Sequence, residues 1–192
     1  SEDFDNLSQL AQSSMKDKLF KDALYYSKEA LEIKPDDIDM IAIKAFARFA
    51  EESFNDEIPI YCKNAMKRVN SLYFEFDGSF EERRLLLNRL NNIVRVATTY
   101  RIDLYDAAIQ HLRNQRREYS ARLEKEARTE LVLADNATAR RRAESKLNKL
   151  LKNKDYNEEL EYKIQYVKEN RSLISEYREQ LIRSITIKQK RN

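Results

Sequence analysis

Few residues in this 192-residue chain have the chemistry of a catalytic or metal-binding group, and their types restrict the options before any fold is considered. His111 and Cys62 are the only histidine and the only cysteine. A zinc centre takes four ligands, largely from such residues, so a Cys/His site is excluded, and any Cys–His or Ser–His pairing rests on a single base. A catalytic histidine also needs a nucleophile and an orienting partner, and none is identifiable around Ala107–Arg113. His111 reads as a surface or boundary residue. Cys62 follows Tyr61 in an amphipathic stretch and reads as a small packing residue, because nothing beside it lowers a thiol pKa. Glu81-Glu82 and Glu158-Glu159 offer paired carboxylates, but both pairs fall where a helix begins, and capping plus the helix dipole accounts for them. Gly78 is the only glycine, so neither GxxxxGK[ST] nor GxGxxG exists and phosphate-loop and dinucleotide-fold chemistry are ruled out. The expectation is a non-enzyme with no cofactor and no resident metal.

The basic clusters carry a different chemistry. Arg113, Arg116 and Arg117, the run Arg140, Arg141 and Arg142, and the tail Lys188–Arg191 are able to neutralise phosphates, with Tyr119 available to stack on a base. Glu118, Glu124, Glu126, Glu130 and Glu144 are interleaved with them, which favours intrahelical ion pairs on a solvated face. A third use is internal or intermolecular. Residues 1–77 carry a net charge of −6 and residues 78–192 a net charge of +9, so the basic half has an acidic counterpart in its own chain or in a neighbour.

These residues must be positioned by helices. One Gly and two Pro in the whole chain, against a helix cost of roughly 1 and 3 kcal/mol each, leave little to interrupt helix formation. Apolar spacing predicts helices over residues 3–17 and 20–34, the second stopped by Pro35. Asp36 or Asp37 is placed to cap a third over about 37–52, and Asn55 or Asp56 a fourth that tolerates Pro59 in its first turn. Leu72–Gly78 reads as a break and a domain junction. Ser79-Phe80-Glu81-Glu82 then matches a capping box. From there on no Gly or Pro occurs, which predicts long helices with breaks near Thr98–Asp103, Asp135-Asn136 and Asn153–Asp155. In the last helix Leu160, Ile164, Val167, Ile174, Leu181 and Ile185 form one seam, interrupted by Arg171 and Arg178. Tyr162, Tyr166, Leu173 and Tyr177 form a second. Two stripes imply packing against two neighbours, as in a hairpin or three-helix arrangement; a self-associating coiled coil, and with it a homo-oligomer, is the alternative.

Phe20–Asp37 resembles the second helix of a tetratricopeptide repeat. Ala23, Ala30-Leu31, Ile33 and the terminating Pro35 before an acidic pair stand at the family's positions, and small residues there let paired helices approach closely. Leu7, Leu10, Ala11 and Ser14 match the first helix less well. A degenerate second copy runs from Ile38 to about Ser71, with Lys44 in place of the usual leucine, Ala65 one residue late and no closing proline. The resemblance covers residues 4–71. It implies an all-α fold of antiparallel helix pairs, followed here by long amphipathic helices that cap them, and a groove for a protein or peptide partner. Its groove residues would be Asp5, Ser8, Gln12, Asp39, Ala42, Phe46 and Phe49, although a short repeat array also needs a cap, and the two phenylalanines would then pack against the C-terminal helices.

The division expected is therefore a repeat-like region at 1–77 and a basic long-helix region at 78–192, serving protein interaction or scaffolding, with contact to nucleic acid or an anionic membrane as the alternative. No window approaches 18 consecutive apolar residues, and Ser1–Asp5 lacks the basic flank of a signal peptide. A cytoplasmic location is the corresponding expectation.

Overall fold

A computed structural model describes residues 1–153 and 156–191, with side chains through Thr186. The basic tail at 188–191 and Asp155 of the expected third break thus lie outside the described side chains. The described residues form seven helices: α1 (Glu2–Lys16), α2 (Phe20–Ile33), α3 (Ile38–Glu51), α4 (Ile58–Glu75), α5 (Phe80–Leu133), α6 (Ala137–Lys152) and α7 (Glu158–Arg191). The fold is all-α.

Local chemistry explains most of the boundaries. Ser1 caps α1, Asp37 caps α3 and Asn136 caps α6, each side chain accepting an N–H three residues on. Helix α1 ends in a Schellman motif: the Leu19 N–H donates to the Ser14 carbonyl at 2.8 Å and the Lys18 N–H to the Met15 carbonyl at 3.2 Å. That motif needs its C′ residue in the left-handed region, and Lys18 occupies it at φ 60°. A non-glycine residue there is strained by about 1 kcal/mol or more. Lys18→Gly is therefore expected to stabilise the chain by about 1 kcal/mol, raising the melting temperature by roughly 2–4 °C in a circular-dichroism melt. An unchanged or lowered melting point would show that the strain is absent.

The capping box after the lone glycine is formed in both directions. Ser79 Oγ accepts from the Glu82 N–H at 3.2 Å, and Glu82 Oε2 accepts from the Ser79 N–H at 2.8 Å. Gly78 does not use a positive φ. A Cβ there would lie 2.6 Å from the Phe76 ring and 2.7 Å from the Glu82 carboxylate that makes the cap, so a larger residue would need those two side chains to shift.

Four expectations are corrected. Helix α4 starts after Glu57, which makes no side-chain cap; Asn55 instead accepts the Glu57 N–H at 2.8 Å in a turn ahead of the helix, and Pro59 sits in the first turn. Residues 72–75 are helical, so the interruption is confined to 76–79. No break occurs at Thr98–Asp103. The Thr98 hydroxyl donates to the Val94 carbonyl one turn back at 2.7 Å, so it stays within the helix instead of capping a new one, and α5 runs through. Finally, the compact units do not divide at Gly78: one comprises Ser1–Leu104 with Asn170–Asn192, the other Tyr105–Glu169. Helices α5 and α7 each contribute to both.

In the first unit α1 packs on α2, α2 on α3 and α3 on α4, and α1 also meets α3. Ala11, Ala23 and Ala30 are fully buried, so the small residues do sit at helix contacts. Leu86, Leu90 and Val94 from α5 and Ile174, Leu181 and Ile185 from α7 complete this core. In the second unit Ile109, Ala127, Ala143, Leu147 and Ile164 bring the distal half of α5, α6 and the start of α7 together. The second stripe of α7 is less engaged than its spacing implies: Tyr162 is 74% exposed and Tyr166 is also exposed, while Leu173 and Tyr177 are half-buried.

Candidate functional site

The groove residues separate into three groups. Ala42, Phe46 and Phe49 are buried, at 1% exposure or less, and so are not available to a partner. The correction has a plain physical cause. Phe46 and Phe49 lie on the inward side of α3 and pack edge-to-face on each other, ring centroids 6.4 Å apart, within the same core that α5 completes. Asp5 is exposed and Ser8 half-buried, with Ser8 accepting a 3.0 Å hydrogen bond from Gln12 Nε2. Gln12 and Asp39 line an open cleft.

That cleft, with a volume of about 350 Å³, is bounded by α1, α3 and α5. Met15, Ile43, Ile93 and Val96 give it an apolar floor, and Lys16, Arg89, Arg95, Gln12, Asn92 and Asp39 form its rim. Arg89 holds Asp39 in a two-pronged ion pair, with Nε donating at 2.8 Å and the terminal amine at 3.3 Å. Arg95 is oriented by donating to the Asn92 side-chain oxygen at 3.0 Å. With Asp39 neutralised, Lys16 and Arg95 leave the rim cationic. The Arg89–Asp39 pair is also an instance, within one unit, of the basic part of the chain docking on the acidic part.

A second cross-helix contact was not anticipated from sequence. Arg101, on α5 and 1% exposed, donates from Nε to the Phe49 carbonyl at 3.1 Å and from its terminal amine to the Glu52 carbonyl. Both carbonyls belong to the C-terminal turn of α3 and its cap, where a helix leaves acceptors unmatched and its dipole favours a cation. The guanidinium also lies 5.8 Å and 5.7 Å from the ring centres of Phe49 and Phe54. It is a structural clamp, and a buried arginine without a sequence motif gives no signal of itself in advance.

The basic patch does not assemble as one surface. Arg116 pairs with Glu161 of α7, whereas Lys146 of α6 pairs with Glu130. Positions 116 and 130 of the same helix are ~21 Å apart at 1.5 Å per residue. Because Arg140, Arg141 and Arg142 precede Lys146 on α6, the two arginine clusters lie well apart along the second unit. Arg140 lies 3.9 Å from Glu144, and Arg128 pairs with Glu124 at 2.9 Å, so the interleaved carboxylates do engage the cations.

His111 is exposed. Glu81 pairs with Arg84, whose guanidinium holds the carboxyl below its usual range; Glu159 pairs with Lys163 at 3.1 Å. Among the described residues no group of three or more His, Cys, Asp and Glu is arranged to hold a metal ion, and no helix is long and apolar enough to cross a membrane.

Cys62 is fully buried on α4, and burial pushes its thiol from about 9 up to about 12, opposed only in part by Arg178. Two results are expected. A thiol reagent at pH 8 labels it only when the first unit opens, so labelling tracks denaturant unfolding. Because the folded thiol keeps its proton where the unfolded one loses it, its contribution to stability is intact below pH 9 and is lost as pH rises toward 12. The stability advantage of the native chain over Cys62→Ala should accordingly shrink by about 1.4 kcal/mol per pH unit across that window. A pH-independent difference, measured by urea melts, would contradict this.

Comparison with protein-family models, with curated proteins and with solved structures found no match for the chain.

Proposed function

We propose that the protein is a non-catalytic interaction module in which α1–α4 act as two tetratricopeptide-like helix pairs, closed on their inner face by α5 and α7. The order of packing, the buried alanines at the helix contacts and the tight turn at Lys18 support the repeat-like reading. The second pair departs from it in its longer connection, residues 52–57 against 17–19 in the first.

The observation that carries the functional reading is the cleft between α1, α3 and α5. Its apolar floor favours an aliphatic side chain, and its cationic rim, with Lys16 and Arg95 beside the neutralised Asp39, favours an acidic neighbour on the same segment. A peptide segment that alternates aliphatic and acidic residues is the partner chemistry this arrangement suits.

The test is selection of a displayed peptide library on the full chain, followed by affinity measurement. Selected peptides should carry an acidic residue beside an aliphatic one. Lys16→Glu with Arg95→Glu, both at exposed positions, should weaken them at least about tenfold, since a like charge then faces the peptide, without moving the melting temperature. Absence of enrichment, or binding indifferent to the charge reversal, would remove the cleft as the site.

A further inference from the structure

Within the second unit α5 ends at Leu133 and the chain turns back into α6 through residues 134–136. The ion pair of Lys146 with Glu130 sets the register of the two helices. From that level Val132 and Leu133 stand about 3–4.5 Å nearer the turn than Glu130, and Arg140, Arg141 and Arg142 about 6–9 Å nearer it than Lys146, at 1.5 Å per residue. An apolar pair and an arginine run therefore share the tip of one helical hairpin.

We propose that this tip docks on an anionic membrane surface, with Val132 and Leu133 entering at headgroup depth and the arginines pairing with the lipid headgroups. The apolar pair is the first observation. Val132 and Leu133 are 83% and 74% exposed, whereas the next aliphatic side chain among the described residues, Ile60, is 56% exposed. Single apolar residues on a surface are ordinary. Two consecutive ones point about 100° apart on a helix, so both stand open only because nothing packs over this end of α5.

The charges around the pair are the second observation. Residues 128–142 hold Arg128, Arg140, Arg141 and Arg142 against Glu130 and Asp135. Glu130 is taken by Lys146 and Arg128 by Glu124, while Arg140 comes only to 3.9 Å from Glu144. Arg141 and Arg142 are exposed and in no ion pair among the described residues. Ala143, the next residue, is buried. At about 100° per residue the three guanidiniums fan over about 200° of α6, the arc that its inward side leaves free. They surround the tip instead of lining one flank, and their long stems let the charged ends reach headgroups while the apolar pair sits deeper.

The combination selects the partner. A nucleic-acid backbone would satisfy the arginines but makes no use of two open aliphatic side chains. A protein partner needs roughly 800 Å² of complementary surface on each side, more than a two-residue tip presents. An anionic bilayer rewards apolar insertion and cationic contact together and requires no matching shape. At headgroup depth water is still present, so the unmatched carbonyls that end α5 remain hydrated.

The experiment sediments the full chain with vesicles of phosphatidylcholine, alone and mixed with about 30% phosphatidylserine, near physiological ionic strength. Binding to the mixed vesicles and none to phosphatidylcholine is expected. Arg140→Gln, Arg141→Gln and Arg142→Gln together should weaken it at least about tenfold, a single cation at such a surface being worth about fivefold. Val132→Ser with Leu133→Ser should weaken it by about tenfold or more, and melting should be unchanged in both variants because all five side chains are exposed. Asp135→Asn, which removes the carboxylate of the turn, should strengthen binding a few-fold, a gain that misfolding cannot imitate. The chain has no tryptophan, so Leu133→Trp gives a clean reporter, whose emission should shift to the blue on the mixed vesicles and be quenched by brominated acyl chains. No binding to the mixed vesicles, binding indifferent to Val132→Ser with Leu133→Ser, or an unquenched reporter would overturn the proposal. So would tighter binding of double-stranded DNA or RNA than of the mixed vesicles through the same three arginines, which would make nucleic acid the partner of this tip.

Discussion

Arg101→Leu is expected to destabilise the first unit by about 3 kcal/mol, because a charged donor to two carbonyls is lost and those buried acceptors are left without a partner. For a chain of this size that corresponds to a fall of roughly 6–12 °C in melting temperature. The leucine is apolar and occupies part of the same space, so the loss reports hydrogen bonding and charge more than volume. Arg101→Lys sharpens the test. It retains the cation but not the planar fork that reaches Phe49 and Glu52 together, and an intermediate loss is expected. Equal melting for arginine, lysine and leucine would show that the α3 carbonyls are satisfied without the guanidinium.

Phe46→Ala is expected to cost about 3–5 kcal/mol, the range for removing a fully buried aromatic ring from a core. On the groove reading the same substitution would leave melting intact and weaken a partner. The two expectations are opposite, so one thermal melt separates them. Phe49→Ala should behave alike, and the double variant should lose less than the two single losses combined by about 0.5–1.5 kcal/mol, the worth of an edge-to-face pair. Strict additivity would mean the rings do not depend on each other.

The helices were largely legible because their signals are local. Near absence of Gly and Pro, the Ser79–Glu82 capping box, Pro35 and the Asp37 and Asn136 caps act within a few residues of where they stand. What failed depended on distant partners. Thr98–Asp103 has the polar look of a turn, but its Arg101 is aimed at carbonyls some fifty positions earlier, and Thr98 bonds back along its own helix. Nothing in the local sequence separates a buried arginine from a solvated one.

The cleft was legible in part. Gln12 and Asp39 were read from their repeat positions, and both line it; Phe46 and Phe49 were read by the same rule and point into the core. Position within a repeat specifies the helix face. Whether that face meets solvent depends on which later helix covers it, and here that helix is α5, which also brings Arg89 and Arg95. The opposite charges of the two parts of the chain were the available signal for the Asp39–Arg89 pair, though they do not say which residues meet.

The first unit is assembled from two stretches of chain separated by residues 105–169. This has a consequence for the order of folding. Helices α1–α4 pack on their sequence neighbours, contacts that close small loops and form early. The contribution of α7 has to return across the whole intervening segment, as the Arg178–Thr98 contact illustrates, and the entropy of closing so long a loop places it late. While the chain emerges from a ribosome, α4 exists for some time with its α7-facing side bare.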